Sequence, residues 1–152
     1  MIGFGLALAG VAAAIHVYIF VMESLTWTSD RTRATFGTSP QEAAATREMA
    51  FNQGFYNLFL AVLVVLGIVL YAADRQDVGL TLVVAGAGSM VAAGLVLILS
   101  SPSKARAALV QLVPPALGVR GGGLGLTLGA VLRPSVGAGG VAGGGVGGGR
   151  RR

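Results

Sequence analysis

Apolar residues run without an acidic or basic side chain from Ile2 to Met22, again from Met49 to Tyr71, and a third time from Val78 to Ser100. About 20 such residues at 1.5 Å rise cross a hydrocarbon core about 30 Å thick, so each run predicts a membrane-spanning helix. Between the first two runs, Ser24 to Ser39 is polar and reads as a loop. Ser39-Pro40-Gln41-Glu42 then announces a helix: Ser39 can cap the free amides, Pro40 suits the first helical position, and Glu42 can reach back to the Ser39 amide. This helix is expected to run unbroken to about Ala72, with Gln41 to Glu48 at the headgroup level. Asp74-Arg75-Gln76-Asp77 makes a tight connection to the third span. The rival reading of the first run is a cleaved signal peptide, but no basic region precedes it, and His16, Tyr18 and Glu23 fit that design poorly.

Small residues recur at four-residue spacing on the third span, Ala85, Ser89 and Ala93 on one row and Gly88 and Ala92 on the next, and on the first at Gly5, Ala9 and Ala13. Such rows let helix backbones approach in lipid, where packing drives association. After Ser101-Pro102-Ser103 a fourth run opens, Ala105 to Val119, but it contains Pro114-Pro115 and ends at Arg120 and three glycines. The fold class expected is therefore an all-α membrane bundle of three complete spans and an interrupted fourth, a transmembrane domain over 1–119. Residues 120–152 form a glycine- and arginine-rich tail without the makings of a core, expected to be disordered. Its few residue types are those a shifted frame through GC-rich DNA encodes.

Composition supports a membrane setting: 54% of residues are hydrophobic and 11% charged, with a mean hydropathy of +0.77, against about a quarter charged in soluble domains. The net charge of +5 does not indicate nucleic acid, because up to Val119 six basic residues balance six acids, and the excess lies in Arg120, Arg133 and Arg150 to Arg152. Arg31, Arg33, Arg47, Lys104 and Arg106 share one side of the membrane, and Arg75 the other. Basic loops stay in the cytoplasm, which predicts a plasma-membrane protein with its N-terminus outside and first loop inside. No cysteine and a single histidine are present, so disulfides and thiolate ligands are excluded, and no metal, haem or other cofactor is expected.

Six polar residues interrupt the apolar runs: His16 and Glu23 on the first span, and Asn52, Gln53, Tyr56 and Asn57 on the second, with Glu48 at its mouth. Each carries a desolvation cost in hydrocarbon unless partnered, which marks a site. His16 and Glu23 share a face, seven residues or about 10 Å apart. Glu48, Asn52 and Tyr56 form one row of the second helix, Gln53 and Asn57 the adjacent one. Antiparallel packing puts Glu23 level with Glu48 to Gln53, and His16 level with Tyr56 and Asn57, so all six are expected to meet at one interface in the cytoplasmic half. Trp27 and Tyr18 read as interfacial anchors.

These residues carry a resemblance. His16 and Tyr18, Glu23 followed by Trp27, Phe36-Gly37, and above all Asn52-Gln53-Gly54-Phe55-Tyr56-Asn57 with Leu60-Ala61 make the chain similar to the domain of unknown function 1304 family of small bacterial and fungal membrane proteins. The likeness extends less specifically to Leu112 to Gly118, about the first four fifths of the chain. It implies a four-helix membrane protein and supplies no reaction. It also implies a fourth span finishing in an apolar run, from which this chain departs at Arg120.

Three functions fit the residues. In the first, the polar cluster binds, and can modify, a small amphipathic or lipid-like molecule entering from the cytoplasmic leaflet, with His16 or Glu23 as acid or base and Glu48, Asn52, Gln53, Tyr56 and Asn57 orienting it. The second is a proton-coupled exporter or transport subunit, which the shallow position of Glu23 fits poorly. In the third, the polar residues only hold helices together, for about 0.6 to 2 kcal/mol each. The partners expected are the bilayer, such a ligand and a second copy of the chain.

Overall fold

A computed structural model describes residues 2–101 and 105–122, with side chains in the last helix from 109 to 120. All regular elements among these residues are helical. Helix α1, Ile2–Phe20, continues into one π-helical turn, Val21–Leu25. Two short helices follow, α2 (Asp30–Phe36) and α3 (Pro40–Ala45), then the long α4 (Arg47–Ala72), α5 (Gln76–Ser100) and α6 (Ala105–Gly122). Three of these are long and apolar enough to cross a membrane: Ile2–Leu25, Arg47–Ala72 and Gln76–Ser100.

The four long helices run up and down in chain order. Helix α4 packs on α5, α5 on α6, α6 on α1 and α1 on α4, which closes a ring. The spans are apolar on every side, so hydrophobic periodicity cannot choose their inner face; residue size does. On α1 the buried residues are Gly5, Ala9, Ala12, Ala13, His16 and Ile19, whereas Phe4, Val11, Val17 and Tyr18 are exposed. The core is built from Ala9, Ala12, Ala13, Ala61, Val64, Val83, Ala87 and Met90.

On α5 the structure corrects the expected packing row. Ala85, Ser89, Ala92 and Ala93 are exposed, and a Cβ added at Gly88 would touch nothing within 4 Å. The inner face is instead Gly79, Val83, Gly86, Ala87, Met90 and Gly94. Gly67 and Gly79 explain the choice: a Cβ on Gly67 would lie 2.7 Å from the Gly79 carbonyl oxygen, and one on Gly86 2.7 Å from Val64 Cγ2. The α4–α5 seam is thus set by backbone contact.

The fourth helix forms. Its 18 residues span about 27 Å, pass through Pro114 and Pro115, and dock through two glycine contacts. A Cβ on Gly94 would lie 2.9 Å from Leu112 Cβ, and one on Gly118 3.1 Å from the Ala9 amide nitrogen. The interruption expected from the two prolines is absorbed because neighbouring helices hold the segment. The tail from residue 123, and the expectation of its disorder, lie outside the described residues.

The ends follow from local chemistry. The Ser39 capping box forms with both of its hydrogen bonds, Ser39 N to Glu42 Oε2 at 2.9 Å and Glu42 N to Ser39 Oγ at 3.2 Å. Asp74, at φ 61°, ends α4, and the Arg75 amide closes back on the Leu70 carbonyl at 2.9 Å. Contrary to an unbroken helix from residue 40, α3 and α4 are separated at Thr46, whose hydroxyl donates to the Glu42 carbonyl at 2.7 Å and receives the Trp27 indole N–H at 3.2 Å. The polar loop contains α2, capped by Ser29 and ended by Gly37 at φ 65°.

Candidate functional site

The site begins with the π turn. At the end of α1 the Thr26 amide bonds back to the Val21 carbonyl at 3.0 Å, a five-residue step that widens the helix where Glu23 sits. The widened end is fastened to α4 by Ser24, whose hydroxyl donates to the Phe51 carbonyl at 2.8 Å. Gly54 makes room for it. A Cβ there would strike Ser24 Oγ, and would lie 3.0 Å from the Ser24 amide nitrogen and 3.2 Å from Glu23 Cβ.

This close approach brings Glu23 to Asn57. The Asn57 amide donates to Glu23 Oε2 at 2.9 Å and its second hydrogen goes to the Gln53 carbonyl at 3.2 Å. Both groups are half-buried. Glu23 has no ion-pair partner among the described residues, where the salt bridge present joins Arg33 to Asp30. Once Asn57 has spent both hydrogens, its Oδ1 and the second Glu23 oxygen remain as acceptors. Across the same seam, Phe20 meets Phe55 edge-on with centroids 5.1 Å apart, and Phe55 lies 4.9 Å from Phe51 and 6.2 Å from Phe59, centroid to centroid.

The remaining expected members are not brought together. His16 is buried, 2% exposed, and its Nδ1–H donates to the Ala12 carbonyl at 2.9 Å. It continues the stripe Gly5, Ala9, Ala12, the stripe on which α6 rests at Gly118. It thus turns toward α6, away from Tyr56, which is 67% exposed on the outer side of α4. Asn52, Gln53 and Glu48 are exposed as well. The reason is register. Depth matching set Glu23 beside residues 48–53, but it contacts Gly54 and Asn57, because α4 starts well beyond the end of α1 to accommodate the two loop helices. A shallow open groove lies further out, lined by Ala44, Ala45, Arg47, Glu48 and Phe51.

Ser24 and Gly54 are the seam positions that residue chemistry alone does not single out. Gly54, a glycine inside an apolar helix, was the available signal of close backbone approach. Trp27, expected as an interfacial anchor, meets Phe36 in a tilted arrangement with centroids 5.1 Å apart and ties the loop to Thr46 through its indole N–H. Among the described residues no group of three His, Asp or Glu side chains is placed to hold a metal ion.

The family described as "Protein of unknown function (DUF1304)" matches residues 10–120, a stretch that contains His16, Glu23, the Asn52–Asn57 block and all of α6 but its last two residues. No curated protein and no solved structure matches the chain.

Proposed function

The chain belongs to the DUF1304 family, and we propose that its Glu23–Asn57 pair binds the polar head of a small amphipathic or lipid-like molecule entering from the cytoplasmic leaflet. The observation that carries this reading is a carboxyl group within a spanning segment, hydrogen-bonded to an amide and matched by no cation among the described residues. Such a group is costly in lipid, and a purely structural contact is made as well by two amides.

The open valences define the ligand. Acceptors remain at Glu23 and Asn57, so the complementary head group brings donors, an ammonium or hydroxyls. Glu23 is the acid–base candidate of this site and Asn57 orients it. Gln53, one turn away, with Asn52 and Tyr56 on the exposed side of α4, lines the lateral approach from lipid, and Glu48 stands at the headgroup level. His16 belongs to a different seam and acts only on a ligand that reaches α6. Arg31 and Arg33 of the first loop and Arg47 at the start of α4 support a cytoplasmic placement of this end in the plasma membrane, with the N-terminus outside.

The test uses the full chain in nanodiscs, with thermal unfolding followed in dodecylamine, dodecanol and sodium dodecanoate. A ligand that binds only the folded state raises the midpoint. The amine is expected to raise it and the carboxylate to leave it unchanged, with the gain lost in Glu23→Gln and in Asn57→Leu. Equal shifts in wild type and both variants would overturn the reading.

A further inference from the structure

Helix α6 introduces polar groups that the Glu23 site does not use. Pro114 and Pro115 have no amide hydrogen, so the carbonyls of Val110 and Gln111, four residues earlier, lose their helical donors in the middle of the segment. Gln111 is itself half-buried. At four- and seven-residue steps it shares a face with Pro115 and Gly118, both buried. That face lies on α1, because a Cβ on Gly118 would sit 3.2 Å from the Gly5 carbonyl oxygen and 3.1 Å from the Ala9 amide nitrogen.

The register follows. Neighbouring helices of the ring run antiparallel, so seven residues back along α6 correspond to seven forward along α1. Gly118 lies between Gly5 and Ala9; Gln111 therefore lies between Ala12 and His16. His16 is the largest polar side chain on that stripe and is 2% exposed. Its Nδ1–H is held by the Ala12 carbonyl, which leaves Nε2 as the ring's acceptor; Nε2 has no hydrogen-bond partner among the described residues and keeps a trace of accessible surface, the fully buried side-chain atom without a partner there being Thr38 Oγ1. The Gln111 carbonyl, freed by Pro115, points along the same face toward that proline.

We propose that the α1–α6 seam holds a second intramembrane site, in which His16 Nε2, the Gln111 side chain and the Gln111 carbonyl bind a hydroxyl donor. The chemistry is a hydroxyl because the backbone and ring groups present acceptors only, at a depth where bulk water is absent and an unpaired carbonyl is costly. A hydroxyl group, from a buried water or from the head of an uncharged lipid-like alcohol, can donate to one acceptor and receive the Gln111 amide. An anionic head group would be repelled by each of these acceptors and received by the Gln111 amide N–H alone. This site is independent of the Glu23 pair, about two helical turns from it along α1.

His16 is the single histidine of the chain, so selective 15N-histidine labelling gives one imidazole to read. In nanodiscs the Nε2 resonance of the full chain is expected at a hydrogen-bonded shift with a through-space contact to a hydroxyl proton. In Gln111→Leu it moves to the position of a free lone pair. In Pro115→Ala, which restores the amide donor to the Gln111 carbonyl, the hydroxyl contact weakens while the helix is kept. Two arms separate the donors: a contact that persists in wild type at the water frequency assigns water, and one that appears or shifts on adding dodecanol assigns an alcohol. A free-lone-pair shift in wild type with neither contact, or a shift that both variants leave unmoved, overturns the proposal. Glu23→Gln is expected to leave the His16 signal unchanged, so failure of one site is distinguishable from failure of the other.

Discussion

Asn57 reaches across the α1–α4 seam to Glu23 at 2.9 Å, joining side chains 34 residues apart in the chain, and its other amide hydrogen is held by the Gln53 carbonyl. The amide is thereby fixed in orientation and the carboxyl group is fixed by the amide. Removing either partner leaves the other unsatisfied inside an apolar bundle.

Asn57→Leu is expected to lower stability by about 0.6 to 1.7 kcal/mol, the range of single polar contacts in membrane helices. Asn57→Asp is expected to cost more, since it sets two carboxyl groups against each other in place of a donor and an acceptor. Reversible unfolding in mixed micelles of increasing sodium dodecyl sulfate measures both.

Gly54→Ala is expected to cost about 1 to 3 kcal/mol through overpacking, because the new methyl group meets the backbone of Ser24 and Glu23 Cβ. It also displaces Glu23 from Asn57, so the stabilising response to dodecylamine should fall with it. Gly88→Ala, at a position with nothing within 4 Å, serves as the matched control and should be neutral or slightly stabilising.

Gly67→Ala puts a methyl group 2.7 Å from the Gly79 carbonyl and 2.8 Å from the Val83 amide nitrogen. Backbone cannot step aside as a flexible side chain can, so the α4–α5 seam must open. The expected loss is at the top of the overpacking range, about 3 kcal/mol, with the dodecylamine response preserved once the protein is folded. Unfolding and ligand-shift measurements on the same variant separate the two effects.

Thr46→Val removes the acceptor of the Trp27 indole N–H and the donor to the Glu42 carbonyl. About 0.5 to 1.5 kcal/mol per bond is expected. Trp27 is the single tryptophan, so its emission reports directly: a shift to longer wavelength and easier quenching by acrylamide are expected, and an unchanged spectrum would show that the tie to Thr46 does not hold the loop.

What was legible in the sequence was whatever depends on local chemistry. The three long spans, the Ser39 capping box and the buried row Gly5, Ala9, Ala13 all follow from neighbours within a turn or two. Seams between helices were not legible, because in an all-apolar helix several small-residue rows compete. Ala85, Ser89 and Ala93 were as good a row as Gly79, Gly86 and Gly94 until Gly67 was placed opposite. The polar site was half legible for the same reason. Glu23 and Asn57 stand out by type, but their pairing depends on a π turn and on how far α4 extends past α1. That offset also separates His16 from Tyr56. The interruption expected in the fourth span rested on Pro114-Pro115, Arg120 and the glycines that follow, all local features, whereas Gly94 and Gly118 supply contacts between helices that hold α6.

The central claim is that Glu23 and Asn57, not His16 and Tyr56, meet across the α1–α4 seam. The chain has no cysteine, so paired substitutions can be read without background. Glu23→Cys with Asn57→Cys is expected to crosslink rapidly in membranes with a thiol reagent spanning one side-chain contact, and His16→Cys with Tyr56→Cys to remain uncrosslinked. Crosslinking of the second pair, or its absence in the first, would contradict the account.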